Sequence, residues 1–268
     1  MDPPRLVDPA ALARNRARAT ALFLQALAAD EVEERLAMVN RAFTAPAVVT
    51  PFPAVWAPRL PGARIVPDAP VLDLAPGAHD LVIHALALHW ADDPVGQVVQ
   101  AARALRPDGL FLATLFGGQT LAPLRAALAE AEAAATGGLS PRVLPMAEIR
   151  EAGALLQRAG LALPVADMVP FDVDYPDPIA LMRDLRAMGE GNALAGRLRR
   201  PTRRAVIADA AARYAAACGT AGGRVTARFE VIVLTGWAPH ESQQKPLRPG
   251  SAVARLADAL PRRGDTAD

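Results

Sequence analysis

The chain is poor in the residues on which several kinds of chemistry depend. It has a single cysteine, Cys218, in 268 residues. That excludes an internal disulfide, an iron–sulfur cluster or a thiolate zinc site built by this chain alone, and it fits a reducing compartment. Lysine is almost absent: Lys245 is the only one, so 29 basic residues minus one leaves 28 arginines. Neither sign of charge is in surplus, since those 29 face 28 acidic side chains, and the electrostatic case for a nucleic-acid or anionic-membrane partner is missing. No run approaches the roughly 18 to 20 apolar residues of a membrane-spanning helix. The opening residues, with Asp2, Pro3, Pro4, Arg5 and Asp8, lack the layout of a signal peptide. A cytoplasmic protein is expected. What the chain does have is material for a core, with 52% apolar and 21% charged residues, in a length suited to one large domain or one with an elaborated second lobe.

Asp8 through Met38 reads as a pair of helices broken at Asp30, with Asp8 as N-cap, Pro9 in the first turn, and Leu12, Ala19, Leu22, Phe23, Ala26 and Leu27 near helical spacing. Short apolar runs then alternate with helical stretches, the pattern of an α/β domain with a largely parallel sheet. Strands are predicted at Ala47 to Thr50, Arg64 to Pro67, Asp80 to Ala85, Leu110 to Phe116, Val165 to Val173 and Arg228 to Trp237. The unbroken Leu81, Val82 and Ile83 suit a strand covered on both faces. Helices are predicted at Asp93 to Leu105, Leu121 to Ala135 and Ala147 to Ala159, the last ended by Gly160. The expected parts are N-terminal helices (1–45), an α/β core (46–177), a helical insertion (178–224) that is helical from Pro178 to about Cys218, a final strand (225–238) and an extended tail (239–268). One short helix is expected in the tail, at Ala252 to Leu260.

The run from Asp80 through Ile83, His84, Ala85 and Leu86 to His89 and Trp90, followed by a helix and then Leu105-Arg106-Pro107-Asp108-Gly109-Leu110-Phe111, resembles the fourth-strand to fifth-strand passage of class I S-adenosylmethionine (SAM) dependent methyltransferases. Within that superfamily the chain is most similar to the respiratory complex I assembly factors described as protein arginine hydroxylases. A more distant likeness is to the malonyl-carrier-protein methyltransferase of biotin synthesis. The resemblance extends through Arg14-Asn15-Arg16-Ala17-Arg18-Ala19, Gly137-Gly138-Leu139-Ser140-Pro141-Arg142, Arg183-Asp184-Leu185-Arg186-Ala187-Met188-Gly189-Glu190, and Thr235-Gly236-Trp237 with the residues that follow. It implies a Rossmann-like α/β fold with a mostly parallel sheet and a helical insertion acting as a lid. It also implies SAM as cofactor, contacted from the positions of Thr50, Phe52, Asp68, Asp73, Ala85 and Leu86, and a protein partner belonging to a respiratory complex.

The residues at the cofactor positions depart from that pattern. In the superfamily the first strand enters a glycine-rich turn whose backbone N–H groups approach the ligand. This chain has Thr50-Pro51-Phe52-Pro53-Ala54 there. The two prolines have fixed φ and no N–H, and the phenyl ring adds bulk. Only 17 residues separate Thr50 from Asp68, where a full domain builds two helices and two strands from about 40. The sheet is therefore expected to lack one strand. Asp68, twelve residues before Asp80, matches the family's adenine-side acid. In an alternative alignment it is the ribose acid and the adenine-side strand is lost.

For chemistry, Trp90 offers a cation–π wall, His89 a proton acceptor, and Glu190 a carboxylate able to orient a substrate guanidinium, a role that Asp184 shares. Arg183, Asp184 and Arg186 are candidate substrate contacts on the lid. His79, His84 and His89 recur every five residues, but His79 and His84 lie about 16 Å apart on an extended strand and cannot share a metal, so no metal site is expected. Gln243, Gln244 and Arg248 are candidates to dock a partner or fold back over the cleft. Two functions stay open: an enzyme that modifies a side chain of a protein partner, and a non-catalytic relative that keeps the fold as a binding or assembly module.

Overall fold

The computed structural model describes residues 5–244. The strands are β1 (Pro46–Val49), β2 (Arg64–Val66), β3 (His79–His84), β4 (Leu105–Gly117), β5 (Ala162–Tyr175) and β6 (Val225–Trp237). They form one sheet in the order β2-β1-β3-β4-β6-β5. The pairs β1 with β2, β1 with β3 and β3 with β4 are parallel, while β6 runs antiparallel to both β4 and β5. The helices are α1 (Pro9–Arg16), α2 (Phe23–Met38), α3 (Pro53–Trp56), α4 (Pro94–Ala104), α5 (Ala122–Thr136), α6 (Ile149–Arg158), α7 (Pro178–Ala187) and α8 (Arg204–Cys218).

Alternation along β4 sets the layers. Phe111, Ala113 and Leu115 pack on one face with Val98 and Ala101 of α4 and Ala152 and Leu156 of α6. Leu110 and Leu112 point to the other face, against Ala29 and Val32 of α2 and Trp56 of α3, and Phe116 packs there with Leu124, Leu128, Leu181 and Tyr214. Both faces are covered, which is why the inner strands read as continuous apolar runs. Burial of each leucine or valine at these positions contributes about 1.5 to 3 kcal/mol. The inserted helices α7 and α8 thus share a core with α5 and β6. Asp8, Asp93 and Asp177 cap their helices by accepting the N–H groups of Ala11, Gly96 and Ala180, and each is followed by a proline in the first turn.

The structure corrects four expectations. The N-terminal helices do not break at Asp30, which lies inside α2 and pairs with Arg59 at 2.6 Å. They part between Ala17 and Leu22, where the N–H groups of Thr20 and Ala21 both donate to the carbonyl of Ala187. The insertion is not one helical run, because α7 and α8 are joined by an irregular segment over 188–203. Among the described residues no strand lies outside β2, which pairs directly with β1, so Asp68 follows the strand beside β1, as the alternative alignment has it. Gln243 does not fold over the cleft: its side-chain N–H groups donate to Asp108, in the turn at the start of β4, and to the Ala238 carbonyl. The expected helix at Ala252 to Leu260 and Arg248 lie outside the described residues.

Candidate functional site

The C-terminal ends of β1, β3 and β4 form the floor of the site. After His84 the chain passes through Ala85 and Leu86 into a single 3₁₀ turn, Leu88–Trp90. Leu86 adopts a φ of +40°, an uncommon conformation for a branched residue that costs about 1 to 3 kcal/mol. Its neighbours hold it there: its N–H donates to the Thr114 hydroxyl at 2.8 Å, and its carbonyl accepts from Gln25 Nε2 at 3.3 Å. This bend turns His89 and Trp90 towards the lid.

There they meet Glu190. The indole N–H of Trp90 donates to Glu190 Oε2 at 2.6 Å, and His89 Nε2 lies 3.4 Å from the same oxygen. The Phe116 N–H donates to His89 Nδ1 at 3.4 Å, so Nε2 carries the proton directed at the carboxylate. Burial alone would raise the Glu190 carboxyl, but His89, the Trp90 N–H and the Arg16 guanidinium together hold it below its ordinary value of 4.5. Glu190 is therefore a largely buried anion, its side chain 12% exposed, whose Oε1 accepts from no protein group among the described residues. These residues sit at one end of a cleft of about 360 Å³, floored by side chains such as Phe116, Leu124, Leu185 and Phe229.

Arginines complete the walls. Arg142 forks onto Glu132 through Nε at 3.0 Å and a terminal nitrogen at 2.7 Å, while its other terminal nitrogen donates to Thr202. Ser140 adds its N–H and hydroxyl to the same carboxylate. Arg142, opposed by burial and helped by the Ser140 donors, pulls the Glu132 carboxyl down to about 2. The Asn192 amide ties the lid to this strip by donating to the Pro141 carbonyl. Arg197 is neutralised by Asp8 at 2.8 Å, and Arg186 lines the cleft without an ion pair among the described residues. Arg142 belongs to a run that resembled the family. Arg197, Gln25 and Glu132 carried no motif, although Gln25 stands on the buried stripe of α2 with Ala28, Ala29 and Val32.

Where the superfamily holds SAM, this chain places its own side chains. Phe52 is 7% exposed. A Cβ on Gly189 of the lid would lie 3.4 Å from the Phe52 ring and 3.2 Å from the Arg16 Cα. The Phe52 N–H is spent on the Thr50 hydroxyl at 3.1 Å. Asp68, the candidate cofactor acid, pairs with Arg16 at 2.7 Å, both side chains being about 13 to 14% exposed. Asn15 donates to the Gly191 carbonyl, so the segment after α1 is also fastened to the lid. The loop after β2 is held to α4 by Gln97, which donates to the Ala69 carbonyl, and by Gln100, which accepts the Leu72 N–H. The gap bounded by Leu24, Leu86 and Met188 amounts to about 10 Å³, against the several hundred that ligands of SAM's size occupy. The residues present do not fit SAM.

Other candidates also lie elsewhere. Asp73 is on the surface, paired with Arg64 and 82% exposed, away from any cofactor position. Ala85 is buried and donates its N–H to Val49, inside the sheet's continuation. Asp184 does not face a substrate, because it accepts the Tyr175 hydroxyl at 2.8 Å. Arg183 is exposed and is not part of the cleft wall, whereas Arg186 is. His84 points into the core, where its Nε2 meets Gln97, and burial pushes its imidazole down to about 4. Among the described residues, no group of three acidic, histidine or cysteine side chains is arranged to hold a metal.

Comparison with known proteins agrees with this architecture. A family model described as a methyltransferase domain matches residues 14–113. The chain is 36% identical over 199 residues to "Arginine-hydroxylase NDUFAF5, mitochondrial" of Danio rerio, covering 74% of this chain and 62% of that protein. It is 42% identical over 180 residues to the protein of the same name in Dictyostelium discoideum, covering 67% of this chain and 41% of the other. A "Malonyl-[acyl-carrier protein] O-methyltransferase" of Xylella fastidiosa (strain M23) is 37% identical over 67% of this chain and 58% of its own length. The chain thus spans roughly two fifths to three fifths of these relatives. With its mostly parallel six-stranded sheet and the relatives above, the chain belongs to the SAM-dependent methyltransferase superfamily, close to NDUFAF5.

Proposed function

We propose that this protein is a non-catalytic member of the superfamily with respect to SAM, and that it uses the preserved cleft to bind a cationic side chain of a protein partner during assembly of a respiratory complex. Of the two functions left open by the sequence, this is the module rather than the methyl-transferring or hydroxylating enzyme. One observation carries it: the cofactor position is filled by Phe52 and by the Arg16–Asp68 pair, while the cleft beside it stays open with Glu190 at its end. A largely buried, ionised carboxylate next to the indole N–H edge and an apolar floor suits an alkyl chain that ends in a positive charge. The respiratory partner and the arginine-directed enzyme alternative come from the relatives, whose names describe an arginine hydroxylase. The cytoplasmic setting is part of the proposal, those two relatives being mitochondrial by name; no helix of the described residues is long and apolar enough to cross a membrane.

The test is calorimetric titration of the protein with SAM and with S-adenosylhomocysteine, alongside thermal denaturation in their presence. Neither heat nor a shift in melting temperature is expected up to millimolar ligand, whereas micromolar binding would overturn the reading. Affinity capture with the purified protein should retain a respiratory-complex subunit, and Glu190→Gln should release it.

A further inference from the structure

Beside the cleft, and sharing Phe116 and Glu190 with it, lies a second cavity of about 10 Å³. Its apolar walls include Leu24, Leu86 and Met188, and its polar members are Gln25 and Glu190. That volume suffices for one water-sized group. Gln25 is 6% exposed. Its Nε2 faces the Leu86 carbonyl, and turning the amide over would set two oxygens against each other, so the orientation is fixed by its partner. The amide oxygen is then buried with no donor among the described residues. An orphaned acceptor of this kind is costly unless a ligand or water donates to it. The Glu190 oxygen Oε1 also accepts from no protein group among the described residues, since both protein donors go to Oε2, but it is not a buried orphan like the Gln25 oxygen: its side chain is 12% exposed, at the mouth of the same cavity.

We propose that Gln25 and Glu190 together form a head-group pocket for a primary ammonium, the end of a lysine side chain of the partner protein, and that this pocket discriminates against a guanidinium. The inference rests on the reading of the cleft as a receptor for a cationic side chain and adds the identity of the head group. Both polar walls are acceptors, and an ammonium offers three donors on a head the size of a water molecule. A guanidinium is a wide planar fork that the small cavity does not admit. In the larger cleft it meets Arg186, which has no ion pair among the described residues, and Glu190 is the one acidic side chain of the lining. The alkyl stem lies along the apolar floor formed by Leu124, Leu128 and Leu185.

The full-length chain is titrated with n-butylammonium and with n-butylguanidinium chloride, which share a stem and differ in head. The Trp90 indole N–H resonance reports binding, because that group donates to Glu190. Butylammonium is expected to bind about tenfold more tightly, the worth of one hydrogen bond to a charged group. Gln25→Met should keep the fold by circular dichroism and lose that preference. Equal or tighter binding of the guanidinium by the wild type, or a preference that survives Gln25→Met, would overturn the ammonium pocket and leave the cationic cleft standing. If neither head group moves the resonance at millimolar concentration, the cationic cleft itself fails, and this inference with it.

Discussion

Trp90 and Glu190, one hundred positions apart in the chain, are joined by a 2.6 Å hydrogen bond from the indole N–H to the carboxylate. That bond brings the bend after β3 and the lid loop after α7 to one point. It also leaves the other carboxylate oxygen for a ligand. Substituting Glu190→Gln preserves an oxygen that can accept from Trp90, so the fold should survive. The charge is lost, and calorimetry with n-butylammonium should record a weakening of about 1.5 to 3 kcal/mol. An unchanged affinity would place the cation receptor elsewhere.

The Arg16–Asp68 pair should behave unlike the pairs on the surface. Both of its side chains are largely buried, so Arg16→Ala leaves Asp68 without its partner and should cost about 1 to 3 kcal/mol in urea denaturation. Because Gly189 and Gly191 rest on Asn15 and Arg16, hydrogen exchange at residues 187–191 should quicken in the same variant. Arg64→Ala, which removes the exposed pair with Asp73, serves as the control. Its effect should stay within about 0.5 kcal/mol.

Two groups should give the protein distinct acid transitions. His84 is wholly buried and its folded-state pKa is about 4, below the ordinary 6.5. Between those values the unfolded chain binds a proton that the folded chain does not, so stability is full above pH 6.5 and falls as the pH drops towards 4. The loss is of order 3 kcal/mol. Glu132, held at about 2 against an ordinary 4.5 by Arg142 and Ser140, contributes fully above pH 4.5 and loses that contribution between 4.5 and 2. Denaturant melts at stepped pH should show the upper window vanish in His84→Leu while the lower one remains. Arg142→Met should remove the lower window.

Gly189 has a φ of +83°, and a side chain there would press on Arg16, Ala19 and Phe52. Gly189→Ala should therefore destabilise the protein by about 1 to 2 kcal/mol, through backbone strain and crowding together. Gly77, also at positive φ but with nothing close to its Cβ direction, should tolerate alanine at the cost of the strain alone. A similar loss at both positions would mean that the lid does not bear on Phe52.

The order of strands and helices was legible because Leu81 to Ile83 is apolar throughout and Leu110 to Phe116 is apolar at every position but Thr114, the mark of a strand with no wet face. The cofactor position was legible for a simpler reason: a proline has no N–H wherever it stands, so Pro51 and Pro53 declare their effect without a neighbour. The fate of Asp68 was not legible, because its partner Arg16 lies 52 residues away and either a ligand or a guanidinium would satisfy it. Glu190 could be picked out as a carboxylate in a polar insertion, but the same reasoning also picked Asp184, which the fold commits to Tyr175. Local polarity cannot separate the two, since the direction of each side chain is set by how α7 packs. Gln25 escaped notice because one amide inside an apolar helix looks like an ordinary surface residue until the neighbouring elements close over it.

That no strand lies beyond β2 among the described residues also changes how the molecule meets its own kind in concentrated solution. The border left there is only three residues long and begins with a charged arginine, and the opposite border, β5, is interrupted by Pro164 and Pro170. Neither offers a long, regular row of free amide and carbonyl groups on which a second copy could build a ladder. Shortening the sheet has therefore not traded a ligand site for a sticky rim, and high protein concentration should not by itself seed intermolecular β structure.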